Sequence, residues 1–415
     1  MQFNNTRHNK PTVLAVGLFV SGTGFTRVFE TLFSRLSTFF DIHWMGIGYK
    51  GVISKQEHYT LYPVNANGGD IYGAYGATEL AVKVHAGSIL LLTDFYLLKN
   101  YQRQLEPLKE KGIQLVAYVP VDGYFTDTTM AGHAFFLDEL VLYNQWAMQE
   151  VSDALYEYKA ANKSTVYAQP LLSYIYHGTD TDVFTAEHKQ QHELKEQLFA
   201  VPGAANSVFI LNANRYNERK DIESTIMSFA KALPQFNNSA YLCLHTPNLQ
   251  PELKPALLDL IEQSGCKEKI VLNPIGDNYC SNEQLAALYS ACDIGINTSH
   301  GEGWGMISFE HAACGAAQLV PEHTAPGELW KDAAILIPVK KSIQLRSNPF
   351  LMCSINTDVL ANQLVQLVND EAYRTTISGR CREHVNKDIF DWDNIAAQWT
   401  EKLGAPAKYK LRVVR

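Results

Sequence analysis

Short apolar runs of strand length recur along this chain in two separate series, each run followed by a turn and an amphipathic stretch. In the first series Thr12–Phe19 reads as a buried strand, followed by a glycine turn and a helical pattern to about Leu36. Ile42–Gly46, Ser88–Thr93, Ile113–Val119 and Leu140–Tyr143 read as further strands, with helix-like segments Glu79–His85 and Tyr101–Lys111 between them. The second series begins after the polar stretch Ala186–Pro202. Its strands are Val208–Ala213, Tyr241–His245, Ile270–Asn273, Ile294–Asn297, Gln318–Val320 and Ala334–Pro338. Asp221–Ala232, Pro251–Ser264, Glu283–Ala291 and Met306–Cys314 are the helices of that series. Runs that alternate in this way belong to parallel sheets covered by helices on both faces. The expectation is α/β: two Rossmann-like, doubly wound domains facing across a cleft, with ligands at the carboxyl ends of the strands. A length of 415 residues suffices for two such cores.

Within the second series, Gly301-Glu302-Gly303-Trp304-Gly305-Met306-Ile307-Ser308-Phe309-Glu310 sets two carboxylates eight positions apart on a glycine-punctuated loop running into a helix. Glycines let backbone approach a bulky anion, and the free amides of a helix starting near Gly305 point at it. Glutamates on either side accept hydrogen bonds from hydroxyls, the layout of a nucleotide-sugar. After the first strand of this series, Asn212-Ala213-Asn214-Arg215-Tyr216-Asn217-Glu218-Arg219-Lys220 offers cations at a strand end. Fixed cations there would stabilise the charge that develops on a departing diphosphate. Arg219 taken alone reads as a solvated loop cation.

The Glu302–Glu310 segment resembles the E-x7-E donor-binding motif of retaining glycosyltransferases of family 4, which have the GT-B fold. The family also places an arginine and a lysine at the spacing of Arg215 and Lys220. The resemblance implies hydroxyls of the transferred sugar on Glu302 and the ribose on Glu310. The amides of Gly305, Met306 and Ile307 would hold the diphosphate, with Gly303 and Trp304 in the same donor loop. It further implies a metal-independent, front-face reaction in which the leaving phosphate takes the acceptor's proton. The first glycine loop, Ser21-Gly22-Thr23-Gly24-Phe25-Thr26-Arg27, faces the cleft in that family, so Gly22 and Gly24 are donor-binding candidates and Arg27 a weaker one. Arg27 stands where a dinucleotide fingerprint needs its third glycine, which argues against NAD. Family members carry a histidine after an N-domain strand, whereas this chain has Val116-Ala117-Tyr118-Val119-Pro120-Val121-Asp122-Gly123, leaving Asp122 as the polar candidate there. Tyr174–Phe184 resembles the family's signature at the end of the first domain, and its Asp180-Thr181-Asp182 reads as a turn rather than a metal-binding pair.

The implied boundaries are 1–190 for an acceptor-side domain, 200–388 for a donor-side domain, and 389–415 for a helix and tail that cross back to the first domain. Phe390-Asp391-Trp392 resembles the start of that helix, Asp391–Leu403. A net charge of −8 argues against a nucleic-acid binder. Seven cysteines, an odd number without a C-x-x-C pair, fit reduced thiols in a cytoplasmic setting. Met1–Lys10 lacks a signal-peptide core and no run is long enough to span a bilayer, so membrane contact is at most peripheral; the basic tail Lys408–Arg415 reads as a solvated terminus in preference to a membrane contact. His177, His300, His311 and His323 match no common zinc spacing. The partners expected are a UDP- or GDP-sugar donor and a glycan, lipid-linked or small-molecule acceptor, with no cofactor. A nucleotide-sugar or glycan-binding protein descended from a transferase, and a GT-B epimerase or phosphorylase, are the alternatives.

Overall fold

The computed structural model describes residues 10–162, 169–186 and 191–404. The tail Lys408–Arg415 and most of Met1–Lys10 lie outside the described residues. The first sheet has eight strands: β1 (Thr12–Leu18), β2 (Asp41–Ile47), β3 (Ser54–Lys55), β4 (Thr60–Pro63), β5 (Ser88–Leu92), β6 (Gln114–Val119), β7 (Glu139–Leu142) and β8 (Leu171–Tyr174). Their order is β3-β4-β2-β1-β5-β6-β7-β8, parallel throughout except for the short β3–β4 pair. The second sheet runs β11-β10-β9-β12-β13-β14, all parallel. Its strands are β9 (Val208–Asn212), β10 (Ala240–Leu244), β11 (Ile270–Leu272), β12 (Ile294–Ile296), β13 (Ala317–Pro321) and β14 (Ile335–Ile337). The strands buried along their whole length, such as β5, β9, β10 and β13, are predominantly apolar.

Sequence patterning missed β3, β4 and β8, which are short or half-exposed, and one hairpin. That hairpin, β15 (Val339–Gln344) and β16 (Leu351–Ile355), is antiparallel. Its first strand, Val339-Lys340-Lys341-Ser342-Ile343-Gln344, is mostly exposed and carries no alternating apolar signal, so backbone pairing alone defines it.

The hairpin leaves the second domain and reaches the first. Tyr124 and Leu351 exchange backbone hydrogen bonds of 2.8 and 3.0 Å. Phe350, 1% exposed, enters the first domain's core against Phe125, with ring centroids 5.1 Å apart at 85°. A second tie comes from the helix Trp392–Lys402, which packs on the first helix, Gly24–Leu36. Arg35 and Asp393 pair at 2.5 Å, Lys402 pairs with Glu139, and Trp399 meets Tyr118 edge to face at 4.9 Å. The terminal helix therefore crosses back to the first domain.

Phe350→Ala is expected to cost about 3–5 kcal/mol, the usual penalty for emptying an aromatic site in a packed core. Denaturant unfolding measures this; a loss below about 1 kcal/mol would mean that the hairpin tip is not a core element.

Candidate functional site

A cleft of about 640 Å³ lies where the carboxyl ends of the two sheets face each other. The first domain contributes Gly22 and Gly24 after β1, Asp94 and Tyr96 after β5, and Asp122 after β6. The second contributes Arg215, Arg219 and Lys220 after β9, His245 after β10, and Glu302 to Ile307 after β12. Polar side chains gather here because strand ends free the chain from the sheet's apolar alternation.

The Glu302 loop is fixed by backbone before any side chain acts. His300 donates its amide to the Arg219 carbonyl at 2.8 Å and accepts from the Cys353 amide of β16 at 2.9 Å. A side chain at Gly301 would run into the Asp122 carbonyl, and one at Gly303 into Pro120. These two glycines thus let the loop press against the first domain's backbone, where the sequence alone suggested approach to an anion. Asn144 of the first domain donates to the Gly303 carbonyl at 2.9 Å. Gly305, at φ 93°, is the N-cap of the helix Met306–Ala313, a backbone conformation that favours glycine. The first amides of that helix have no partner within it.

Glu302, 5% exposed, accepts from Lys220 and from the Ser299 hydroxyl at 2.8 Å on one oxygen, and from Arg219 at 3.2 Å on the other. Burial alone would raise its carboxyl, but Lys220 and Arg219, with the hydrogen bonds of Lys220 and Ser299, outweigh that and bring it down to about 2. Burial, with Arg219 and Arg215 nearby, lowers Lys220 to about 8 against the pull of Glu302. Arg219 also meets Asp122 at 3.5 Å, and Asp122 accepts from Asn348 of the hairpin tip at 3.3 Å. The solvated-loop reading of Arg219 is therefore corrected: it is part-buried and bridges the carboxylates of the two domains. Arg215 is exposed at the cleft wall, with no ion pair among the described residues.

Glu310 is not brought to this cleft. It lines a neighbouring cavity of about 290 Å³ with Asp180, Trp392 and Glu30. Its carboxylate pairs with Arg27 and accepts from the Tyr289 hydroxyl at 3.5 Å. Burial raises its carboxyl, opposed by Arg27. Arg27 and Met306 line both cavities and stand between them. Asp182 is exposed, and among the described residues no group of three His, Cys, Asp or Glu side chains is arranged to hold a metal ion.

Two cleft residues, Asp94 and His245, escaped sequence reasoning, and His177 was read only as one of four histidines suited to hydrogen bonding in a polar cleft. Asp94 follows β5, and burial together with Asp122 raises its carboxyl to about 6, opposed by Arg219. The strand-end argument applied to Asp122 applies equally to it. His177 donates to or accepts from Tyr118 at 2.7 Å and is held near 3 by burial, hence neutral. It stands 5.2 Å from the Trp304 ring, so the first domain does offer a histidine to the cleft, from beyond β8 rather than after β6. His245 lies after β10 on the other side of the cleft.

The chain covers 95% of itself and 99% of HepE from Anabaena, solved with UDP and glucose, at TM-score 0.68 and 14% identity. Sucrose-phosphate synthase from Thermosynechococcus elongatus gives TM-score 0.69 and 16% identity over 95% and 98% of the two chains. The α,α-trehalose 6-phosphate synthase of Burkholderia multivorans gives 0.70 and 12% over 95% and 96%. The fold is GT-B. In sequence, the chain is 31% identical over 127 residues to the serotype-specific mannosyltransferase WbdA of Escherichia coli, 30% of this chain and 15% of that protein. A second WbdA sequence is 30% identical over 152 residues, 36% of this chain and 17% of that protein. The chain thus spans under a fifth of these relatives' length. No family model matches the chain. Among the described residues no helix is long and apolar enough to cross a membrane.

Lys220→Met would strand the Glu302 carboxylate in a buried site. The expected loss is about 3–5 kcal/mol, the cost of breaking a buried pair from one side, read by urea unfolding; an unchanged midpoint would show that Glu302 does not depend on Lys220.

Proposed function

We propose that the chain is a retaining glycosyltransferase that moves a hexose from a nucleoside-diphosphate sugar to a hydroxyl of a glycan, lipid or small molecule. One observation carries this reading. An ionised, immobilised carboxylate, Glu302, stands on the loop that leads into the amide end of the Met306–Ala313 helix, and Arg215 of the same cleft has no ion pair among the described residues. The GT-B fold and the local likeness to a mannosyltransferase support it. UDP is the first nucleotide to test, because HepE was solved with UDP and glucose.

In this proposal the helix amides and Arg215 hold the diphosphate and stabilise its charge as the glycosidic bond breaks. Lys220 and Arg219 act mainly through Glu302: they keep it ionised and pointed at the sugar hydroxyls. The acceptor enters from the side of Asp94, Tyr96 and Asp122 and attacks the face the diphosphate leaves. Its proton passes to the leaving phosphate oxygen, so no protein base is consumed. Glu302 orients and stabilises the sugar without forming a covalent bond to it.

Glu302→Gln should lower kcat about 100-fold or more, the scale of losing one preorganised electrostatic contact, and the product should keep the donor's anomeric configuration by NMR. Inversion, or a glycosyl adduct on Glu302, would refute the mechanism. Tight donor binding with neither transfer nor hydrolysis would instead point to a binding protein.

The pH dependence follows from Lys220. Its cationic form exists below its pKa of about 8, so kcat/KM for the donor is expected to fall on the alkaline side around that pH. In Lys220→Arg, whose guanidinium stays charged, that limb should move up. A limb that stays put would assign it to another group.

A further inference from the structure

Buried polar side-chain atoms nearly always find partners, so those that do not are informative. Several gather at the cleft: the Tyr143 hydroxyl, Trp304 Nε1 and both ring nitrogens of His245. His245 is the most pronounced, being 1% exposed with neither nitrogen paired. Its backbone is fixed, since its amide donates to the Asn212 carbonyl at 3.0 Å as the β10–β9 ladder ends. Burial holds its imidazole near 4, with Asp277 pulling the other way, so at neutral pH the ring offers one N–H donor and one acceptor.

Strand order gives this residue its place. Along the second sheet the neighbouring ends are β10, β9 and β12, and they carry His245, then Arg215 and Lys220, then Glu302. A nucleotide-sugar is a linear molecule of nucleoside, diphosphate and sugar, with parts spaced on the scale of neighbouring strands, about 4.8 Å apart. With the sugar at Glu302 on the β12 loop and the diphosphate between the helix amides that follow it and Arg215 on the β9 loop, the nucleoside falls toward β10. Pro247, two residues beyond His245, lines the same cleft, as do Tyr279 and Leu285, which add apolar surface to it.

We infer that His245 is the hydrogen-bonding contact for the nucleoside part of the donor, a role that rests on the proposed nucleotide-sugar reading of the cleft. A neutral imidazole suits the base or ribose and adds nothing to phosphate binding, which falls to Arg215 and the helix amides.

Calorimetric titration of the full chain with UDP, GDP and inorganic pyrophosphate tests this, beside His245→Leu and His245→Gln. His245→Leu should melt no lower than the parent, because no side-chain hydrogen bond is lost. Its affinity for whichever nucleotide the parent binds should fall about tenfold or more, while pyrophosphate affinity stays within about twofold. His245→Gln, which keeps one donor and one acceptor, should recover part of the loss. A marked drop in melting temperature for both variants would make His245 structural and overturn the inference. So would unchanged nucleotide affinity, or an equal loss for pyrophosphate. A parent that binds pyrophosphate but neither nucleotide would also overturn it while sparing the anion site; a parent that binds none of the three would refute the reading of the cleft itself.

Discussion

A single buried carboxylate organises this molecule. Glu302 would be costly to desolvate alone, and it is tolerated because Lys220, Arg219 and Ser299 meet it within one loop-to-loop contact. Arg219 then extends the charge balance to Asp122 of the other domain. Two cations and two carboxylates cancel, and the cation left without a pair among the described residues of the cleft is Arg215. The geometry of the β9 and β12 loops follows from that balance, since neither can move without exposing an unpaired charge to low dielectric.

The same arrangement depends on the two domains being held at close range. Gly301 and Gly303 lie against the backbone at Asp122 and Pro120. Glu328 of the second domain accepts from the Gln145 and Trp146 amides, at the start of a first-domain helix where a carboxylate is favoured. The hairpin tip buries Phe350 in the first domain and delivers Asn348 to Asp122. The Arg27–Glu310 pair adds a further tie, from the first helix to the helix Met306–Ala313 beside the neighbouring cavity. Arg27 lines both the larger cavity and the smaller one, so this interdomain pair also bounds the cleft.

Much of this was legible in the sequence because the main determinants are periodic. Central strands such as Val208–Asn212 and Ala240–Leu244 are apolar over most of their length, and their order with helices specified parallel sheets. The Gly301–Glu310 segment announced its loop, its helix start and its carboxylate. What remained hidden rests on tertiary neighbours. Arg219 looked solvated because nothing local to it pairs with a cation; its partners lie on β6 and β12 loops. Glu310 shares a motif with Glu302, yet Arg27, 283 residues away in sequence, claims it. The β15 strand is polar and exposed, so its existence depends on a partner strand that local patterning does not reveal. His245 was invisible as a site residue because a histidine at a strand end carries no signal until its lack of partners is seen.

The most direct measurement is a crystal structure of the protein with an intact or fluorinated nucleotide-sugar in the cleft. The account predicts the sugar hydroxyls on Glu302, the diphosphate between Arg215 and the amides of Met306 and Ile307, and the anomeric carbon open toward Asp94 and Asp122. A diphosphate bound away from the β9 and β12 loops, or a sugar facing away from Glu302, would contradict it.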